Sequence, residues 1–102
     1  MLQFLKKLFG GGFNAKALVN NGAVIIDVRT GPEYDRGHVR GAMNIPLDRV
    51  AGRAAEFKQK KQVVICCCQS GSRSGSAVAI LKKAGVEAYN GGNWQQLQNR
   101  LN

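Results

Sequence analysis

Two short, almost unbroken apolar runs, Val24-Ile25-Ile26-Asp27-Val28 and Val63-Val64-Ile65-Cys66-Cys67, constrain the fold of this chain more than any other feature. A strand with one wet face alternates polar and apolar side chains, whereas a β-branched run that is apolar at successive positions needs cover on both faces. Shorter extended pieces lie near residues 42–45 and 86–89. Between them, Leu47, Val50, Ala51 and Ala54 recur at helical spacing, as do Ala77, Ile80, Leu81 and Ala84, with Gly85 placed to end that helix. Alternating strands and helices predict an α/β domain, a central parallel sheet of about five short strands with helices on both faces. Ligands of such sheets bind beyond the carboxyl ends of the strands.

The 102 residues are enough for one domain with one modest core, and residues 13–102 are read as that domain. Ahead of it, Met1, Leu2, Phe4, Leu5, Leu8 and Phe9 fall on one side of a helical wheel, and Gln3, Lys6 and Lys7 on the other. Gly10, Gly11 and Gly12 follow as a flexible joint, so residues 1–12 are read as an amphipathic segment and linker. The pattern suits a helix on a membrane surface or a partner. Nine residues are marginal alone, so packing against its own domain is the preferred reading. No stretch approaches the roughly 20 apolar residues that span a bilayer, and no apolar run with a cleavage site follows the start methionine. A cytoplasmic location is expected.

Fifteen Lys and Arg against six Asp and Glu give a net charge of +9, which should attract anions. Scattered lysines such as Lys58, Lys60 and Lys61 read as a solvated face. A nucleic-acid partner is not expected, since neither a base-reading motif nor a ladder of aromatics interleaves the basic residues. The three cysteines are consecutive, Cys66, Cys67 and Cys68, a spacing that matches no zinc site and no disulfide framework. They point instead to thiol chemistry in a reducing compartment, with no metal or cofactor.

The decisive segment runs from the second apolar strand through Cys68-Gln69-Ser70-Gly71-Ser72-Arg73-Ser74 into a helix of small residues. A cysteine at a helix N-terminus meets unpaired amides and the positive end of the helix dipole, which lower its pKa and supply a thiolate without a base. Amides of Gln69, Ser70, Gly71, Ser72 and Arg73 can curl around the sulfur if Gly71 takes backbone angles closed to other residues. A cysteine, four residues and an arginine followed by serine resembles the active-site loop of rhodaneses. Asp27-Val28-Arg29, Glu33-Tyr34, Gly37-His38-Val39, Gly41-Ala42 and Ile45-Pro46 resemble that family's other signature, so the likeness extends over residues 23–94.

The resemblance implies a rhodanese fold and a thiosulfate sulfurtransferase activity. Cys68 would take sulfur from thiosulfate or a similar anionic donor, hold it as a persulfide, and pass it to a thiol, cyanide or a protein acceptor. Gln69, Ser70, Gly71, Ser72 and Arg73 would bind the anion, with Arg29 as a second candidate at its entrance. Asp27, Glu33 and His38 would brace the sheet and loop. His38, the only histidine, lies in the structural Gly-His-Val turn and is not read as a base for Cys68. Trp94, after Gly91-Gly92-Asn93, is read as packing. Cys66 and Cys67 are read as buried small hydrophobes rather than resolving thiols.

Two rivals stand beside this reading. Counted from Cys67, the loop has five residues before Arg73, the spacing of cysteine-dependent phosphatases and arsenate reductases. The second rival is a non-catalytic module that carries sulfur or binds a protein partner. The sequence does not reveal the physiological donor and acceptor or the oligomeric state.

Overall fold

A computed structural model describes residues 13–102; the amphipathic segment and glycine joint expected over residues 1–12 lie outside the described residues. The order of elements is α1 (Ala15–Asn20), β1 (Val24–Asp27), α2 (Gly31–Asp35), β2 (Met43–Asn44), α3 (Leu47–Gln59), β3 (Val64–Cys68), α4 (Ser72–Lys83), β4 (Ala88–Asn93) and α5 (Trp94–Leu101). The four strands pair in parallel in the order β2-β1-β3-β4. That is one strand fewer than expected, because the described chain has only four extended segments and residues 15–20 coil into a helix capped by Asn14.

The sheet is covered on both faces, as its apolar runs require. Side chains alternate along β3: Val64, Cys66 and Cys68 join a core with α3 and α4, and Ile65 and Cys67 join one with α1 and α5. Val50, Ala54 and Phe57 form the buried stripe of α3, and Ala77, Val78 and Leu81 that of α4. Phe57 and Leu81 are each fully buried, which contributes roughly 1.5–3 kcal/mol per side chain. Helix α4 ends where Gly85 was placed to end it: the Gly85 and Val86 amides donate to the Lys82 and Leu81 carbonyls at 3.0 and 2.9 Å.

One irregularity shapes the functional edge. Along β3 and β4, Cys66 pairs with Asn90 but Cys67 pairs with Gly92, so Gly91 is an extra residue on β4. A Cβ at Gly91 would stand 2.9 Å from Leu97 and 3.0 Å from Ile65, and the close approach of α5 to the sheet requires glycine there.

Candidate active site

Strand β3 delivers Cys68 to the carboxyl edge of the sheet, and the chain then turns through Gln69, Ser70 and Gly71 into α4. Gly71, the residue before the helix, has φ +93°, a left-handed angle that costs other residues about 1–2 kcal/mol. It offers no side chain to cap the orphan amides of the first turn. The Cys68 sulfur takes that place. Its Sγ accepts from the Gly71 amide at 3.0 Å and from the Ser74 amide at 3.4 Å, and it lies 3.3 Å from the Ser74 Oγ. Ser74 is the third residue of α4, where a capping oxygen ordinarily accepts its bond.

Burial is the largest influence on the Cys68 thiol and acts to raise its pKa. The Ser74 hydroxyl and the amides of Ser74, Gly71 and Ser70 outweigh it, and the thiol sits below its ordinary value. The five-amide cradle expected over residues 69–73 is therefore redistributed. Gly71 and Ser70 act on the sulfur, Ser74 joins them from one position beyond, and the Ser72 amide donates to the Ser70 Oγ at 3.4 Å. Cys68 exposes 0% of its surface, while Gln69, Ser70 and Ser72 above it are exposed.

Two asparagines of β4 hold the loop from the side. Asn90 donates through Nδ2 to the Gly71 carbonyl at 3.0 Å and accepts at Oδ1 from Ser74 Oγ at 2.7 Å and from the Gly92 amide at 2.9 Å. Asn93 donates to the Gln69 carbonyl at 2.7 Å while its Oδ1 caps α5. Arg73 points to α2, where its guanidinium forks onto Glu33 with bonds of 2.7 and 3.0 Å. The Arg73 bonds, with those from Thr30, hold the Glu33 carboxyl down at about 2. Glu33 also closes the capping box of α2 with Thr30, so one carboxylate fixes both that helix and the active-loop arginine.

Asp27 and Arg29 form a buried pair beneath the site, 0% and 3% exposed. Arg29 Nε and Nη2 bond the Asp27 carboxylate, Nη2 also reaches the Gly37 carbonyl at 2.7 Å, and the guanidinium lies 5.0 Å from the Trp94 ring centre. This is a bracing position: where the sequence offered Arg29 as a residue of the anion entrance, the fold spends two of its three nitrogens on internal partners. His38 stacks on Tyr34 with ring centres 3.7 Å apart, and its Nδ1 meets the Tyr34 carbonyl. Both Arg29 and Arg73 are thus matched by carboxylates, and among the described residues the positive field at Cys68 comes from amides and the start of α4.

Cys66 and Cys67 are buried as expected, and none of the three thiols is in a disulfide. Burial pushes Cys66 up to about 12, and burial together with the Asp27 carboxylate raises Cys67. The only cysteine whose pKa the fold lowers is the one its helix amides reach.

Residues 14–96 match the family model of the rhodanese-like domain. The chain belongs to the rhodanese-like domain family. It is 39% identical over 84 residues to the thiosulfate sulfurtransferase PspE of Escherichia coli (strain K12), covering 76% of this chain and 81% of that protein. It is 44% identical over 69 residues to the protein YqhL of Bacillus subtilis (strain 168), covering 67% of this chain and 54% of that protein, so this rhodanese-like chain spans about half the length of that relative. The solved structure described as a rhodanese with anions from E. coli superposes with a TM-score of 0.67 at 37% identity, over 72% of this chain and 89% of the other.

Sequence reasoning about this rhodanese-like domain missed Asn90, Asn93 and the contact of Ser74 with sulfur. Asn93 announces itself as a helix cap ahead of Trp94. Nothing in the sequence signals Asn90, whose place depends on the pairing of β4 with β3. Among the described residues no helix is long and apolar enough to cross a membrane.

Proposed function

We propose that this rhodanese-like domain is a thiosulfate-type sulfurtransferase with Cys68 as its nucleophile. The observation that carries the reading is the convergence of the Gly71 and Ser74 amides and the Ser74 hydroxyl on Cys68 Sγ. The thiolate attacks the outer sulfur of thiosulfate, the sulfur–sulfur bond of the donor breaks, and sulfite leaves with the electron pair. The product is a Cys68 persulfide anion. A nucleophilic acceptor, whether cyanide, a small thiol or a cysteine of another protein, then takes the outer sulfur and returns the Cys68 thiolate.

Amides of the loop Gln69, Ser70, Gly71, Ser72 and Arg73 that are not committed to Sγ hold the donor anion and the terminal sulfur of the persulfide. Because Cys68 is closed over, donors reach it by small displacements of the exposed loop residues, which favours compact anions. Arg73, tied to Glu33, keeps the loop in position, and the buried Asp27 and Arg29 pair with the His38 and Tyr34 stack supports the floor. The name carried by the relative PspE supports the donor class. The phosphatase register is disfavoured because Cys67 turns to the opposite core with its thiol raised.

Intact mass after exposure to thiosulfate tests the proposal. A gain of one sulfur atom that cyanide removes is expected, abolished in Cys68→Ser and kept in Cys67→Ser. Absence of any adduct in the unsubstituted chain would sink it, and an adduct that no acceptor discharges would mark a carrier rather than an enzyme.

A further inference from the structure

Among the described residues, Asn90 is the one polar side chain that touches both ends of the Cys68 cradle. Its orientation is fixed by its neighbours: the Gly71 carbonyl needs a donor and the Gly92 amide needs an acceptor, so Nδ2 faces the first and Oδ1 the second. Oδ1 can only accept. The 2.7 Å contact with Ser74 Oγ is therefore a bond in which the serine donates. A hydroxyl has one proton, and 3.3 Å away on its other side lies the Cys68 sulfur.

We propose that Asn90 is a positioning residue for the Cys68 chemistry, its carboxamide oxygen competing with the sulfur for the single proton of Ser74. This deepens the sulfurtransferase reading and rests on it. While Cys68 is a thiol, its S–H donates to Ser74 Oγ and Ser74 donates to Asn90, a continuous chain. When the thiol gives its proton to solvent, the sulfur can only accept. The hydroxyl then turns, its bond to Oδ1 breaks, a bond to the thiolate forms, and Oδ1 retains the Gly92 amide. Once an outer sulfur is attached, the negative charge moves to that terminal atom, Sγ is neutral, and the hydroxyl returns to Asn90. One rotor follows the charge through the cycle by turning about its own carbon–oxygen bond.

Among the described residues, the other titratable groups near Cys68 are Cys66 on the same face of β3, Cys67 on the opposite face, and Arg73 of α4 paired with Glu33 of α2. Asn90, from β4, is neutral. It therefore acts on the sulfur through a hydrogen bond and not through charge.

The test is the pH dependence of Cys68 alkylation by iodoacetamide, followed by mass at that residue, in the full chain. Asn90→Ala releases the Ser74 proton to the sulfur, and the Cys68 midpoint is expected to fall by about one pH unit. A purely structural role predicts the opposite sign, since Gly71 loses its tether. In a Ser74→Ala background, Asn90→Ala is expected to produce no fall. A midpoint that rises or stays in Asn90→Ala, or that falls equally without Ser74, overturns the proposal. If Asn90→Ala does not fold, the unsubstituted protein decides: the Asn90 side-chain carbonyl carbon resonance should move with the Cys68 midpoint, and that movement should be lost in Ser74→Ala. A resonance that stays still, or moves alike in both proteins, overturns it. Sulfur uptake from thiosulfate is measured in parallel. A chain that takes up no sulfur yet shows the fall in Asn90→Ala refutes the sulfurtransferase reading alone, and uptake without the fall refutes the role of Asn90 alone.

Discussion

Cys67 leaves β3 toward the core beneath α1 and α5, where burial and the Asp27 carboxylate raise its thiol. Cys68, the next residue, leaves toward the start of α4, where burial is equally complete but the Ser74 hydroxyl and the amides of Ser74, Gly71 and Ser70 reverse its effect. The contrast separates two influences that often travel together. Removal from water alone makes a cysteine inert. The same removal makes it reactive when the space is lined by amides that lack a side-chain cap, and α4 provides them because Gly71 has no side chain to cap its first turn.

The contrast breaks outright if the wrong cysteine carries the sulfur. Cys68→Ser is expected to lower thiosulfate turnover by at least about 10³-fold, and Cys67→Ser by no more than a few-fold, measured as thiocyanate formed with cyanide as acceptor. Gly71→Ala comes next. Its added methyl meets only Gly92 Cα at an ordinary 3.5 Å, so the cost is backbone strain of about 1–2 kcal/mol, read from denaturant unfolding. The same variant should raise the alkylation midpoint of Cys68.

Stability against pH sharpens the comparison more quietly. The Cys68 pKa is depressed by folding, so its stabilisation is present above the unfolded thiol value of about 8.5 and is lost as pH falls through the folded value. The gap between the unsubstituted chain and Cys68→Ser should widen with rising pH and level off near that value. Cys67 is raised by folding, so its contribution is intact below about pH 8.5 and is lost above it. There the gap to Cys67→Ser should narrow. Opposite slopes in urea titrations are the expected signature, and parallel slopes would contradict it.

The smallest effect is expected at Glu33→Gln, which loosens Arg73 by weakening a half-exposed pair. Turnover should fall only a few-fold. Since folding holds the Glu33 carboxyl near 2, its stabilisation is present above about pH 4.3 and is lost as pH falls toward 2. The acid limb of unfolding should shift correspondingly in the variant.

The sheet was legible from Val24, Ile25, Val64 and Ile65 because burial on two faces leaves an apolar run that no other element mimics at that length. The alternation of Cys66, Cys67 and Cys68 between faces followed from the same geometry. Helices α1, α2 and α5 are six, five and eight residues long, too short for periodicity to show, and only their caps at Asn14, Thr30 and Asn93 announce them. The site was legible at Gly71, whose left-handed angle the loop demanded, and opaque at Ser74, which reaches the sulfur from one position beyond the expected cradle, and at Asn90, which depends on pairing between strands. Arg29 sits two residues from Asp27, which foretells their ion pair, but nothing local foretells Gly37 and Trp94 closing over it.

The extra residue at Gly91 has a consequence for how such a site can be rebuilt. In regular extended backbone, positions three apart face opposite ways. Asn90 and Asn93 nevertheless reach the same loop, because the insertion resets the phase of β4 by half a period between them. Strand length is thus a functional parameter alongside residue identity. Transplanting the Cys68 loop onto a scaffold with an unbroken partner strand would supply one of its two amide clasps and turn the other to the far side.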